Sequence, residues 1–198
     1  MNADWLKPHG LELVKVVKSP DLDGRALWQV KAVSLGLQYA LKRLPAGDRQ
    51  AEQVVRNELV ALNRLPFALA PHCHRCWVET GHIHLLLDWV EGRPLDQLFQ
   101  GEALEAGEAK RRLQVVLMLG EAMQRVHQEG LLHRDVKPAN VVAMLPNQRD
   151  VKAVFLVDFG LATQRRQYEE GTVGFAAPEQ FANRTLRLGA ATDVLGLS

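Results

Sequence analysis

The octapeptide His133-Arg134-Asp135-Val136-Lys137-Pro138-Ala139-Asn140 sets a carboxylate, an ammonium and an amide within reach of one another. Asp158-Phe159-Gly160 adds a second carboxylate, and Ala177-Pro178-Glu179 follows. Asp135 is a group that can accept a proton from a hydroxyl and orient it. Lys137 is a cationic point charge that can meet a phosphate. Asn140 and Asp158 offer the hard oxygen ligands that Mg²⁺ prefers. Asp and Asn also favour turns and caps for purely local reasons. It is the fixed order of the three motifs, not any one tripeptide, that makes chemistry the better account.

Together the motifs resemble the eukaryotic-type protein kinase family, and Lys137-Pro138 after the candidate base resembles its Ser/Thr branch. The resemblance implies transfer of the ATP γ-phosphoryl group to a protein Ser or Thr hydroxyl. Such a transfer asks for positioning and charge neutralisation more than covalent chemistry. By resemblance Asp135 is the base, Lys137 stabilises the moving phosphate, and Asn140 and Asp158 hold Mg²⁺. Tyr39-Ala40-Leu41-Lys42 resembles the strand whose lysine reaches the α- and β-phosphates. Glu58 is the expected ion-pair partner of Lys42. It is preferred to Glu52 because Leu62 and Leu65 continue the apolar pattern behind it. The run His84-Leu85-Leu86-Leu87-Asp88-Trp89-Val90 resembles the last small-lobe strand and the hinge. Leu87 is then the gatekeeper, the backbone of Asp88 and Val90 meets adenine, and Val30, Ala40 and Val142 enclose the purine. By composition alone these aliphatics read as core.

Three places depart from the family pattern. Aligned on Val30, a glycine-rich phosphate loop should have glycine at 23, 25 and 28, but the chain has Asp23, Arg25 and Trp28 with a displaced Gly24. Glycines let backbone N–H groups approach phosphate closely, so the cradle is expected to be weak. The segment before Thr172 carries Tyr168, Glu169 and Glu170 where a phosphorylatable residue is usual; a solvated acidic pair is the plainer reading, and pairing of Glu169 or Glu170 with Arg134 is the hypothesis set against it. Thr172 itself matches the threonine that Ser/Thr kinases place beside the base and the lysine. Residues 192–198 resemble the start of the core helix of the large lobe, whose Asp193 braces the catalytic loop. The helical lobe is therefore expected to be incomplete, Glu179 to lack its usual arginine, and a further segment or a partner to cover the exposed core. The alternatives are a scaffold that keeps the fold without transferring phosphate, and a kinase acting on a small molecule.

Positioning these groups takes an α+β chain in two lobes. Runs at 13–17, 27–33 and 37–41 read as an antiparallel meander, and 74–79 and 82–88 as two more strands joined at Thr80-Gly81. The helical period at 48–65 supplies the single main helix of this β-rich part. A long helix is expected over 108–128, with Leu113, Val116, Leu117, Gly120, Met123 and Val126 on its buried face. The divide falls near residue 90, giving parts 1–90 (five strands and one helix) and 91–198.

The chain has 198 residues, 47% of them hydrophobic, with formal net charge +1. That balance gives no general pull towards nucleic acid or anionic membranes, and no apolar run approaches a membrane span. Cys73 and Cys76 do not look like a secreted disulfide framework, so a reducing cytoplasm is the expected location. One C-x-x-C with scattered histidines is weak evidence for zinc.

Overall fold

The computed structural model describes residues 3–99, 106–147, 150–162, 172, 174–181 and 188–194. The chain forms two compact units, residues 1–55 with 71–90, and residues 56–70 with 91–198. Residues 56–70 thus pack with the second unit, although sequence assigns everything before 90 to the first.

The first unit is a five-stranded antiparallel sheet of β1 (Leu11–Lys18), β2 (Ala26–Ala32), β3 (Gln38–Pro45), β4 (Cys73–Glu79) and β5 (His82–Asp88), in the order β1-β2-β3-β5-β4. Helix α1 (Arg49–Leu62) leaves it after β3. Asp48 caps that helix, accepting the N–H groups of Gln50 and Ala51 through its carboxylate, as its short acceptor side chain permits. Thr80 and Gly81 have φ of 48° and 75°, the two-residue turn whose twist suits a hairpin.

Register decides which side chains share a face. Leu27 pairs with Lys42 and Gln29 with Ala40, while Ala40 pairs with Leu87 and Lys42 with Leu85. Because side chains alternate along a strand, Leu27, Gln29, Ala40, Lys42, Leu85 and Leu87 form one face. Ala26, Trp28, Val30 and Leu41 point the other way and form the sheet's core with Leu6 and Leu11. This core is closed by a 3-10 turn, Asp4–His9, which the sequence pattern did not announce. It buries Leu6 completely and sets Trp5 edge-on to Trp28, with ring centroids 5.2 Å apart.

The second unit holds the three-stranded sheet β6 (Arg93–Pro94), β7 (Val141–Met144) and β8 (Ala153–Leu156), with α2 (Leu95–Leu98), α3 (Ala106–Gln128), α4 (Pro178–Phe181) and α5 (Ala190–Val194). Gly92 enters β6 with φ of 153°, and a Cβ there would lie 2.4 Å from the Ala143 carbonyl oxygen. No other residue fits so close to β7. Helix α3 ends in a Schellman motif: Leu131 N–H reaches the Val126 carbonyl and Gly130 N–H the His127 carbonyl. That turn sends the chain straight into His133.

The buried face of α3 matches expectation only in part. Met123 and Val126 are buried as expected, but Val115, Leu119 and Ala122 are buried with them, whereas Leu113 and Leu117 are 61% and 62% exposed and Val116 is exposed as well. Two apolar stripes run side by side on this helix, and periodicity cannot tell which one meets the sheet. Packing against β8 selects the stripe beginning at Val115.

Candidate active site

Asp135 sits at the centre of a closed hydrogen-bond ring in the second unit. Its Oδ1 accepts the Thr172 hydroxyl at 2.5 Å, and its Oδ2 accepts Lys137 Nζ at 2.8 Å and Asn140 Nδ2 at 2.9 Å. Lys137 Nζ also donates to Thr172 Oγ1 at 2.7 Å. Charge-assisted bonds of this kind are the strong ones. A carboxylate so held is aimed, and its proton-accepting oxygens lie beside a cation that can neutralise a transferred phosphate.

The backbone that presents Asp135 is braced from three directions. Asp193 on α5 accepts the N–H of His133 at 2.9 Å and that of Arg134 at 2.6 Å. It also meets His127 Nε2, from the last turn of α3, at 2.9 Å. Gln180 on α4 donates to the Arg134 carbonyl at 2.8 Å and accepts the Ala177 N–H at 2.9 Å. Beneath the loop, the His133 ring packs on buried Phe159 at 4.6 Å between centroids. Burial holds the His133 pKa below the ordinary histidine value, outweighing the carboxylates of Asp193, Asp158 and Asp135 nearby.

Arg134 and Asp158 both have left-handed backbones, φ 65° and 62°. Non-glycine residues rarely adopt this conformation, and it clusters at working sites. Asn140 and Asp158 are brought together by the β7–β8 hairpin: Val141 pairs with Leu156, and Val157 N–H donates to the Asn140 carbonyl at 2.9 Å. The Asn140 amide nitrogen is engaged by Asp135, so its side-chain oxygen is the atom left to a cation. With the exposed Asp158 carboxylate this is an all-oxygen donor pair, which fits Mg²⁺.

The remaining sequence-predicted residues fall as follows. In the first unit, Lys42, Ala40 and Leu87 share a sheet face, and Asp88 and Val90 lie at the end of β5 and just beyond. Glu52, also in the first unit, is exposed; in the second, Val142 is buried in β7 and Glu58 is 1% exposed. A carboxylate buried to that degree must be paired or hydrogen-bonded. Val30 is a correction. It pairs with Tyr39, on the face opposite Ala40 and Lys42, and is fully buried in the Trp28 core. Leu27 and Gln29 are the β2 residues on the Ala40 face.

That register also excludes a phosphate-loop frame ending on Val30, since only Leu27 or Gln29 of β2 shares the Ala40 face. The connection between β1 and β2 is then the tight turn around Asp21. Asp21 Oδ1 accepts the N–H groups of Asp23 (3.1 Å) and Arg25 (2.8 Å), and the Asp21 carbonyl accepts that of Gly24 (2.9 Å). Arg43 Nε donates to the Gly24 carbonyl at 2.8 Å, and a Cβ on Gly24 would press on the His82 ring at 2.6 Å. Arg43 pairs with Ala26 and His84, so it belongs to the Trp28 face. The turn is therefore tied to the face opposite Lys42.

Glu179, expected to lack its partner, accepts the Thr192 hydroxyl at 2.9 Å. Glu169 and Glu170 lie outside the described residues. Cys73 and Cys76 are not joined in a disulfide, His72 and His74 approach the Asp88 carboxylate, and among the described residues no group of three His, Cys, Asp or Glu is placed to hold a metal. Sequence reasoning missed Gln180, His127, Thr192 and Asp21. All four act through a few hydrogen bonds each, and these leave no periodic trace.

The loop geometry and the two units are those of a known class of proteins, which comparison identifies. A family model described as "Protein kinase domain" matches residues 27–198. The chain belongs to the protein kinase family. Similar proteins include Myosin light chain kinase family member 4 of Homo sapiens, 28% identical over 170 residues, or 84% of this chain and 43% of that protein. Serine/threonine-protein kinase cds1 of Schizosaccharomyces pombe is 26% identical over 175 residues, 81% of this chain and 36% of that protein. Serine/threonine-protein kinase PknF of Mycobacterium tuberculosis is 30% identical over 114 residues, 54% of this chain and 24% of that protein. The chain spans less than half the length of each of these relatives. At family level it is a protein kinase of the Ser/Thr type.

Proposed function

We propose that the chain transfers the γ-phosphoryl group of ATP to a Ser or Thr hydroxyl of a protein, with Mg²⁺. The observation that carries this reading is the ring joining Asp135, Lys137, Thr172 and Asn140. A substrate hydroxyl takes the place of Thr172 at Asp135 Oδ1, hands its proton to that oxygen, and attacks while Lys137 faces the phosphate. Asn140 and Asp158 would hold the metal, which supplies charge neutralisation as the leaving oxygen departs. Within the first unit, Lys42 meets the nucleotide phosphates, and Leu27, Ala40, Leu87 and the backbone of Asp88 and Val90 take the base. The substrate is a protein rather than a nucleic acid or a membrane component, and the site of action is the cytoplasm. Among the described residues no helix is long and apolar enough to cross a membrane. The exposed side chains of Leu113, Val116, Leu117 and Val194 suit cover by a further segment or partner.

A second reading, a non-transferring scaffold of the same fold, is favoured by one observation. The amides of Asp23, Gly24 and Arg25, which a phosphate cradle would use, are engaged within the Asp21 turn. Transfer of radiolabelled γ-phosphate to a generic basic protein decides between them. Signal from the wild type that disappears in Asp158→Ala establishes the enzyme. Equal signals from the two proteins establish the scaffold.

A further inference from the structure

Gln180 sits one residue after the Ala177-Pro178-Glu179 motif and has no part in the chemistry described above. It is nonetheless 1% exposed, among the most deeply buried polar side chains of the chain. Its Oε1 accepts the Ala177 N–H at 2.9 Å, and its Nε2 donates to the Arg134 carbonyl at 2.8 Å. These two bonds run to opposite ends of the candidate site. Ala177 closes the segment that carries Thr172, whereas the Arg134 carbonyl belongs to the peptide unit that leads into Asp135.

That peptide unit needs holding. Arg134 has φ of 65°, a conformation that a long side chain adopts only when its surroundings impose it. The peptide plane is rigid, so fixing its carbonyl on Gln180 also fixes its N–H, which belongs to Asp135 and points to His133 Nδ1 at 3.4 Å. Asp193 controls the preceding N–H groups, those of His133 and Arg134. Between them, Asp193 and Gln180 determine both sides of residue 134. Asp193 sets the entry to the loop, and Gln180 sets the plane from which the Asp135 side chain departs.

We propose that Gln180 is a positioning residue that couples the end of the Thr172 segment to the orientation of Asp135, and so tunes kcat rather than nucleotide binding. This rests on the phosphotransfer reading. The amide is the one side chain of its shape that can donate to Arg134 and accept from Ala177 at once. Gln180→Glu keeps the acceptor but turns a carboxylate oxygen towards the Arg134 carbonyl. Two acceptors then face each other in a buried place, until a proton enters between them. Gln180→Met keeps the shape and removes both bonds.

The full chain carrying each substitution is assayed for kcat and for KM of ATP between pH 6 and 8, alongside amide hydrogen exchange of the peptide spanning 131–137. Leaving one buried acceptor without its donor corresponds to a loss of about tenfold in rate. At pH 8 kcat falls by about tenfold in both variants, with KM for ATP within twofold of wild type. Towards pH 6 Gln180→Glu recovers relative to wild type while Gln180→Met does not, because only the former can take up the bridging proton. A merely structural role would change the folded fraction of both variants, with Gln180→Glu recovering towards pH 6, and would leave kcat per folded molecule at the wild-type value. Equal kcat in all three proteins, or identical pH profiles for the two variants, overturns the proposal. If the wild type transfers no phosphate, the phosphotransfer reading fails separately and exchange decides the coupling. Faster exchange in 131–137 of Gln180→Met, with β3 unchanged, supports it. Unchanged exchange there overturns it.

Discussion

Asp193 accepts the amide proton of Arg134 at 2.6 Å across 59 residues of sequence. The same carboxylate holds the His133 amide and the His127 ring, and it is buried. A charge in that setting is tolerable because three donors replace its water. Removing the acceptor leaves buried donors without partners. Asp193→Ala is expected to lower unfolding free energy by about 3 kcal/mol, read as a lower urea midpoint with unchanged slope. Phosphate transfer should disappear even in conditions where the variant remains folded.

The ring around Asp135 makes a sharper test of chemistry. Asp135→Asn keeps the shape and most of the contacts but removes the proton acceptor. Loss of a general base costs about 10²- to 10⁴-fold in rate, so kcat should fall in that range while KM for ATP holds. Thr172→Ser should retain activity, and Thr172→Val should lose part of it because Lys137 loses the hydroxyl that positions its ammonium.

The Asp21 turn gives a prediction in the opposite direction. Asp21→Ala frees the N–H groups of Asp23 and Arg25 from their shared acceptor. If those amides can turn to phosphate, KM for ATP falls. Asp21→Asn, which keeps the acceptor oxygen, should leave KM where it is. Nucleotide-induced shifts in Tm provide the same comparison without turnover.

His84 governs acid stability. It is buried between Trp5 and Trp77, stacked on the latter at 5.1 Å, and burial, with the nearby Arg43 charge, lowers its pKa from 6.5 to about 4. In the unfolded chain the ring titrates near 6.5, so between these values the unfolded state binds the extra proton. Stability therefore falls as pH is lowered from about 6.5 to about 4, by up to about 1.4 kcal/mol per pH unit. His133, whose pKa is also held down, adds a loss of the same sign. Tm measured across this range should drop more steeply for the wild type than for His84→Phe.

Much of the arrangement could be read from residue order, because motifs are local. Asp135, Lys137 and Asn140 lie within one short loop, and the apolar periods of β2, β3 and α1 are regular. Facing could not be read in the same way. Val30 looked equivalent to a purine-contacting position by distance from a motif, yet strand register, fixed by pairing with β3, turns it to the other side. A shift of one residue reverses a face, and the loop before β2 contained no glycine pattern to set the count. On α3 the two apolar stripes were equally regular, and contact with β8 chose between them. The 3-10 turn at Asp4–His9 lies before the family match at residue 27. It matters all the same, since Leu6→Ala in the sheet core should cost about 2–5 kcal/mol.

The bond from Val157 N–H to the Asn140 carbonyl makes the β7–β8 hairpin a ruler. Neighbouring strands are held about 4.8 Å apart whatever side chains they carry, so the separation of Asn140 and Asp158 is set by a ladder rung and not by a rotamer. Residues 141–144 and 153–156 can therefore vary widely while the spacing survives, provided they stay apolar where buried. Changes of length between Met144 and Ala153 should be absorbed by the connection alone. A slip of a single rung would slide one oxygen past the other by about 3.3 Å and turn it to the wrong side. The site thus tolerates insertions in the hairpin's connection far better than any shift in its pairing.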